Sequence, residues 1–128
     1  MADYTIKRLE DVPDIMGDYP GEMRMFADHL DTDQIAFTVR RMPPDTGGRG
    51  SYGHHHEMQD EVYYVISGTL TFKCGDDEFQ AERGTVVNVP ARVVRSVHND
   101  TDQDVELVIV SVKADDQAQL SEGFWPSD

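Results

Sequence analysis

The chain has 128 residues, of which 25 are acidic and 11 basic, giving a formal net charge of −14. That length fits one domain built on one core, and so large a negative excess repels a phosphate backbone, which excludes nucleic acid as a partner in the absence of a basic patch. No apolar run approaches the roughly 20 residues that cross a bilayer, and the N-terminus, with Asp3, Glu10 and Asp11, lacks the order of a secretory leader, so no membrane contact and a cytoplasmic location are expected.

In chain order, Tyr4 to Leu9 has a short strand pattern that Asp11-Val12-Pro13-Asp14 breaks. Glu22 to Ala27 is a weaker strand. Ile35 to Met42 is a stronger one, in which Ile35, Phe37 and Val39 alternate with Ala36, Thr38 and Arg40. Pro43-Pro44 stops it, and the Gly-rich segment Asp45 to Gly53 reads as loop. His54 to Glu57, Glu61 to Ser67, Thr69 to Cys74, Glu78 to Ala81, Thr85 to Val89, Val93 to His98 and Val105 to Lys113 follow as strands, with turns at Ser67-Gly68 and Gly75-Asp76-Asp77. Asp115 to Leu120 is the one place where a short helix fits, and Phe124 and Trp125 read as a terminal segment that docks on the body or on a partner chain. Many short strands with almost no helical periodicity predict an all-β sandwich or barrel. The lone cysteine, Cys74, has no internal partner and reads as an inert thiol on a strand. The acids are mostly Asp and the lysines are only Lys7, Lys73 and Lys113, a surface compatible with high salt.

The densest set of potential ligands is Gly53-His54-His55-His56-Glu57-Met58-Gln59-Asp60-Glu61. On a strand, His54 and His56 point the same way with backbones about 7 Å apart, while His55 points oppositely. A reversal through Glu57 to Asp60 returns Glu61 to that face. Two imidazoles and one carboxylate suit one divalent ion of iron, manganese, zinc, nickel or copper. The plainer alternative is a solvated histidine run or a tag remnant, but this run is internal and lies between a Gly-rich loop and a strongly β-forming stretch.

Gly48, five residues, His54, one residue, His56, four residues, Glu61, six residues and Gly68 reproduce the first signature of the cupin superfamily without a gap. Gly84, five residues and Pro90 open the second signature, which closes on Asn99. The chain thus resembles the small single-domain cupins. The resemblance implies a jelly-roll β-barrel, or double-stranded β-helix, over residues 1–128, with motifs at 48–68 and 84–99, an N-terminal arm at 1–20 and a C-terminal tail at 114–128. It also implies a homodimer paired through an edge strand or an exchanged arm. Cupins include oxygenases, isomerases, cyclases and non-catalytic binding modules, so the family alone leaves the reaction open.

Two positions depart from the second signature. Arg92 stands where the family has Gly, and Arg95 where it has the fourth metal ligand, a His. Arginine is permanently cationic and does not coordinate, which leaves His54, His56 and Glu61. Arg95 then has two possible roles. It clamps a small anionic substrate beside an open metal site, or it pairs with Glu61 in a metal-free pocket where His54 or His56 acts as base. A pocket that only binds its ligand is the third reading. Strict alternation puts His98 on the face opposite Arg95, and only a bulge would bring it inside. Tyr63, Val65 and Val97 share the inner face, with Tyr63 either a proton donor or core filling. Arg41, Tyr52, Gln59 and Phe72 are candidates for the mouth or wall, and His29 and His55 are expected at the surface.

Overall fold

The computed structural model describes residues 3–114 and 117–127. Among them run eleven strands: β1 (Glu22–Met25), β2 (Ile35–Met42), β3 (Thr46–Gly47), β4 (Gly53–His55), β5 (Glu61–Ser67), β6 (Thr69–Cys74), β7 (Asp77–Glu82), β8 (Val86–Val89), β9 (Arg95–Asn99), β10 (Val105–Val112) and β11 (Gln119–Ser121). The helical content among these residues is a single 3-10 turn at Leu9–Asp11, and no helix is long and apolar enough to cross a membrane.

The strands form two antiparallel sheets, ordered β1-β2-β10-β5-β8 and β11-β4-β9-β6-β7, with β3 added to β9. Alternation fixes which side chains enter the space between them. On β5, Tyr63 and Val65 are buried while Tyr64 and Ile66 are exposed. The core consists of Met42, Tyr63, Val65, Leu70, Phe72, Ala81, Val89, Val97, Val105 and Leu107, contributed by both sheets. Burying an aliphatic side chain of this size stabilises by roughly 1.5–3 kcal/mol. Phe72 stacks on Phe79 and meets the Tyr63 ring edge-on, with centroids 5.2 and 5.3 Å apart. Gly68 makes the β5–β6 turn at φ +81°, a left-handed conformation that favours glycine.

Three expectations change. Tyr4 to Leu9 forms no strand: Tyr4 and Ile6 are exposed, and the chain turns at Leu9–Asp11 before burying Val12. Instead of helix, the region before the tail has Gln119–Ser121 as β11 on β4, while Asp115 and Asp116 lie outside the described residues. The predicted loop from Asp45 to Gly53 also contains β3 and the first residue of β4. Trp125 docks as expected, 1% exposed, its N–H donating to the Ser51 carbonyl and its carbonyl accepting from Gly50 N–H.

Candidate metal centre

Short-range packing aims each of the three predicted ligands. His54 is the middle residue of β4, paired with Arg95 on β9 and with Leu120 on β11. Gly53 precedes it because any side chain there would collide with the Phe124 ring and the Arg95 carbonyl. His56 lies just past β4, its carbonyl held by the Arg92 N–H at 2.6 Å. Arg92 adopts φ +75°, so the family's glycine position keeps its left-handed backbone although the residue has changed. Asp60 accepts the Ala91 N–H at 2.8 Å, which ties the reversal between His56 and Glu61 to the same loop. Glu61 then opens β5, between Ser111 and Val89.

These elements bring one ligand atom each from His54, His56 and Glu61 within 4.8 Å of one another. His54 Nε2 is 3.3 Å from Glu61 Oε1, His56 Nε2 is 3.7 Å from Oε2, and the two rings meet edge-on with centroids 5.3 Å apart. The Tyr63 hydroxyl donates to Glu61 Oε1 at 2.9 Å. Burial pushes the Glu61 carboxyl up, but the hydrogen bonds from His54 and Tyr63 and the nearby Arg95 charge outweigh it and hold the group below its ordinary range. Burial, with the Glu61 charge, pushes the Tyr63 phenol well up, so Tyr63 keeps its proton and acts as a donor.

Arg95 is inside, as alternation required, but it is 0% exposed. Its guanidinium donates to the carbonyls of Val89 (3.1 Å), Pro90 (3.3 Å) and His54 (3.5 Å). Its Nε lies 3.7 Å from Glu61 Oε1 and has no hydrogen-bond partner. The arginine thus neutralises Glu61 from behind and presents no exposed nitrogen to a ligand.

His54, His56, Glu61 and Tyr63 stand on the wall of a cavity of about 910 Å³, together with Tyr52, Gln59 and Arg40. Ligands at about 2.0–2.2 Å from a shared ion stand roughly 3–3.5 Å apart, so separations of 3.3 to 4.8 Å close onto one with small side-chain rotations. Two imidazoles and a carboxylate held ionised are the donor types a borderline divalent cation takes. The residues fit a metal ion.

The other candidates divide. Tyr52 and Gln59 line the cavity, Phe72 is core, and Arg41 turns outward to Glu22 and Asp104. His29 and His55 are half-buried rather than exposed, with His55 Nε2 3.2 Å from Glu57. His98 does face away from Arg95, yet it is buried beneath the tail: its Nδ1 accepts the Arg49 N–H at 3.2 Å and its Nε2 is 3.2 Å from Asp45. Burial pushes the half-buried Cys74 thiol up, consistent with an inert group. The residue not singled out from sequence is Arg40. The signal was present in the Ala36, Thr38, Arg40 alternation, but a lone strand does not say which of its faces is inner.

The cupin domain profile matches residues 38–111, more than half of the chain, and the protein belongs to the cupin family. It is 38% identical over 66 residues to an uncharacterised protein of Streptomyces coelicolor, an alignment spanning 52% of this chain and 60% of that protein. Among solved structures it is similar to a sugar phosphate isomerase of the cupin superfamily from Silicibacter pomeroyi, with TM-score 0.74 and 20% identity over 91% of this chain and 82% of that one. A cupin 2 conserved barrel protein from Salinispora arenicola superposes with TM-score 0.71 and 16% identity, covering 88% and 92% of the two chains. The chain covers 64% of a structure described as a sugar phosphate isomerase from Acidithiobacillus ferrooxidans, at TM-score 0.64 and 19% identity, over 79% of its own length. These likenesses establish the double-stranded β-helix.

Proposed function

We propose that this cupin is a metal-dependent enzyme of a small anionic molecule, with His54, His56 and Glu61 as ligands and an isomerase-type proton transfer as its reaction. The observation that carries the reading is the convergence of two imidazoles and one carboxylate within 4.8 Å on the wall of a 910 Å³ cavity. A divalent ion held there would polarise a substrate carbonyl or hydroxyl. Tyr63, which retains its proton, fixes Glu61 through the bond to Oε1 and leaves Oε2 facing His56. Arg95 offsets the carboxylate's charge without occupying the cavity. The likeness to a sugar phosphate isomerase supports isomerisation over oxygen chemistry.

A second reading draws on the 3.7 Å approach of Arg95 to Glu61: in a metal-free pocket that pair would stand in for the ion and His54 would take the substrate proton. Untagged protein incubated in D2O with sugar phosphates and keto acids, with and without added manganese, iron or zinc, separates the two. Metal-dependent deuterium incorporation, lost in His54→Ala with His56→Ala, is expected. Exchange indifferent to chelation would establish the metal-free base. Dioxygen uptake without exchange would replace isomerisation by oxygenation, and ligand binding without turnover under every metal would reduce the protein to a binding module.

A further inference from the structure

Two arginines are drawn into this barrel, and they are placed differently. Arg95 is sealed behind the wall on three carbonyls and Glu61. Arg40, on β2, lines the cavity itself, and its Nε is buried without a hydrogen-bond partner. Among the described residues no carboxylate lies within 4.0 Å of its guanidinium, whereas Arg24, Arg41, Arg49 and Arg92 each reach one. In a chain with 25 acidic residues the lack of a counter-ion is a property of the site rather than of composition. The ionisable side chains around Arg40 are three tyrosines, Tyr19, Tyr52 and Tyr63, none of them a carboxylate, and Tyr19 is itself held by the Gly47 N–H at 2.9 Å. Arginine does not shed its proton to relieve such burial, so a half-buried guanidinium whose Nε has no partner is unfavourable until an anion arrives.

We propose that Arg40 is the anion anchor of the cavity, gripping a carboxylate or phosphate of the substrate through its planar fork, while the substrate's other end lies at His54, His56 and Glu61. The register supplies a length. Arg40 pairs with Leu107, which pairs with Val65, while Glu61 pairs with Ser111 and through it aligns with Ala36. The two rows are four residues apart, roughly 13 Å between backbones along the strands, a span the Arg40 side chain shortens, so the ligand is a bifunctional molecule with its anionic group and its reacting end apart. The inference rests on the reading of this cavity as a substrate site, but it does not need the metal.

The test is a thermal-shift and calorimetric titration of chelator-treated protein with inorganic phosphate and, separately, gluconate, on the parent, Arg40→Met, Arg40→Lys, Arg41→Met and the His54→Ala, His56→Ala double variant. We expect one or both anions to raise the parent's Tm, with affinity falling at least tenfold in Arg40→Met, several-fold in Arg40→Lys, less in the histidine variant than in Arg40→Met, and not at all in Arg41→Met. Whichever anion responds names the group. Without any anion, Arg40→Met should melt above the parent, because it removes a half-buried charge that no carboxylate pairs. Binding lost in the histidine variant but kept in Arg40→Met overturns the anchor and moves the anion to the imidazoles. So does a parent that responds to neither anion, or an apo Arg40→Met that melts below it.

Discussion

Strand β9 separates two clusters of very similar composition. On its inner side Arg95 adjoins Glu61, His54 and His56; on its outer side His98 adjoins Asp45, Arg49, Asp100 and Trp125. The outer group is closed upon itself. His98 uses both ring nitrogens, Arg49 is shared between Asp100 (2.7 Å) and Glu78 (2.9 Å), and its guanidinium lies 4.6 Å from the centre of the Trp125 ring. It fastens the C-terminal tail to the barrel. In the inner group, His54, His56 and Glu61 converge on open cavity, and Arg95 neutralises the carboxylate from the far side. The lesson is that residue type alone does not make a site: histidine, arginine and acids form a clasp where they close on the tail and a candidate ion site where they converge on a cavity.

The largest expected effects come from removing the arginine or the tryptophan. Arg95→Met leaves Glu61 buried without its counter-charge and should cost about 3 kcal/mol or more, together with loss of the native site, measured by urea unfolding and metal content. Trp125→Ala deletes one of the largest fully buried side chains and should cost about 3 kcal/mol, but with metal content unchanged. If Trp125→Ala also emptied the site, the two clusters would be one unit and the contrast would fail. A smaller effect is expected at Asp100. The hydrogen bond from Arg49, aided by Thr71 and opposed by burial, holds its carboxyl below the ordinary 3.8. Its contribution is therefore complete above the unfolded value and disappears as pH falls through the folded one. Both partners are partly exposed, so Asp100→Asn should cost less than about 1 kcal/mol at neutral pH and less still in high salt. Melting curves of parent and variant should converge as pH falls below the ordinary 3.8 and through the folded value; a gap that widened there would contradict the clasp.

Much of this contrast could be read from the chain. Eight-residue β2 and seven-residue β5 are bounded as the alternation of Ile35 to Met42 and Glu61 to Ser67 predicted, because one buried face specifies register strongly. The His54, His56, Glu61 set was legible because its spacing puts two rings on one side and a reversal returns the acid. Less was legible where meaning depends on a partner strand. Nothing within Thr38 to Arg41 says that Arg40 points in and Arg41 out; that follows from pairing with Leu107 and Glu106 on β10. Arg95 was assigned to the interior, but its three carbonyl acceptors come from residues 54, 89 and 90, a convergence that sequence spacing does not encode. His98 was placed on the outer side, but the tail that buries it begins beyond Val112 and was recognisable only as two aromatic residues without a seat. Tyr4 to Leu9 had strand composition and no strand to join.

The central claim is that His54, His56 and Glu61 together hold one divalent ion. Elemental analysis of untagged protein after equilibration with limiting iron, manganese, zinc, nickel or copper tests it most directly, run on the parent and on His54→Ala with His56→Ala. About one equivalent of one metal per chain in the parent and almost none in the double variant is the predicted result. Protein that takes up no ion, or a variant that binds as much as the parent, would contradict it.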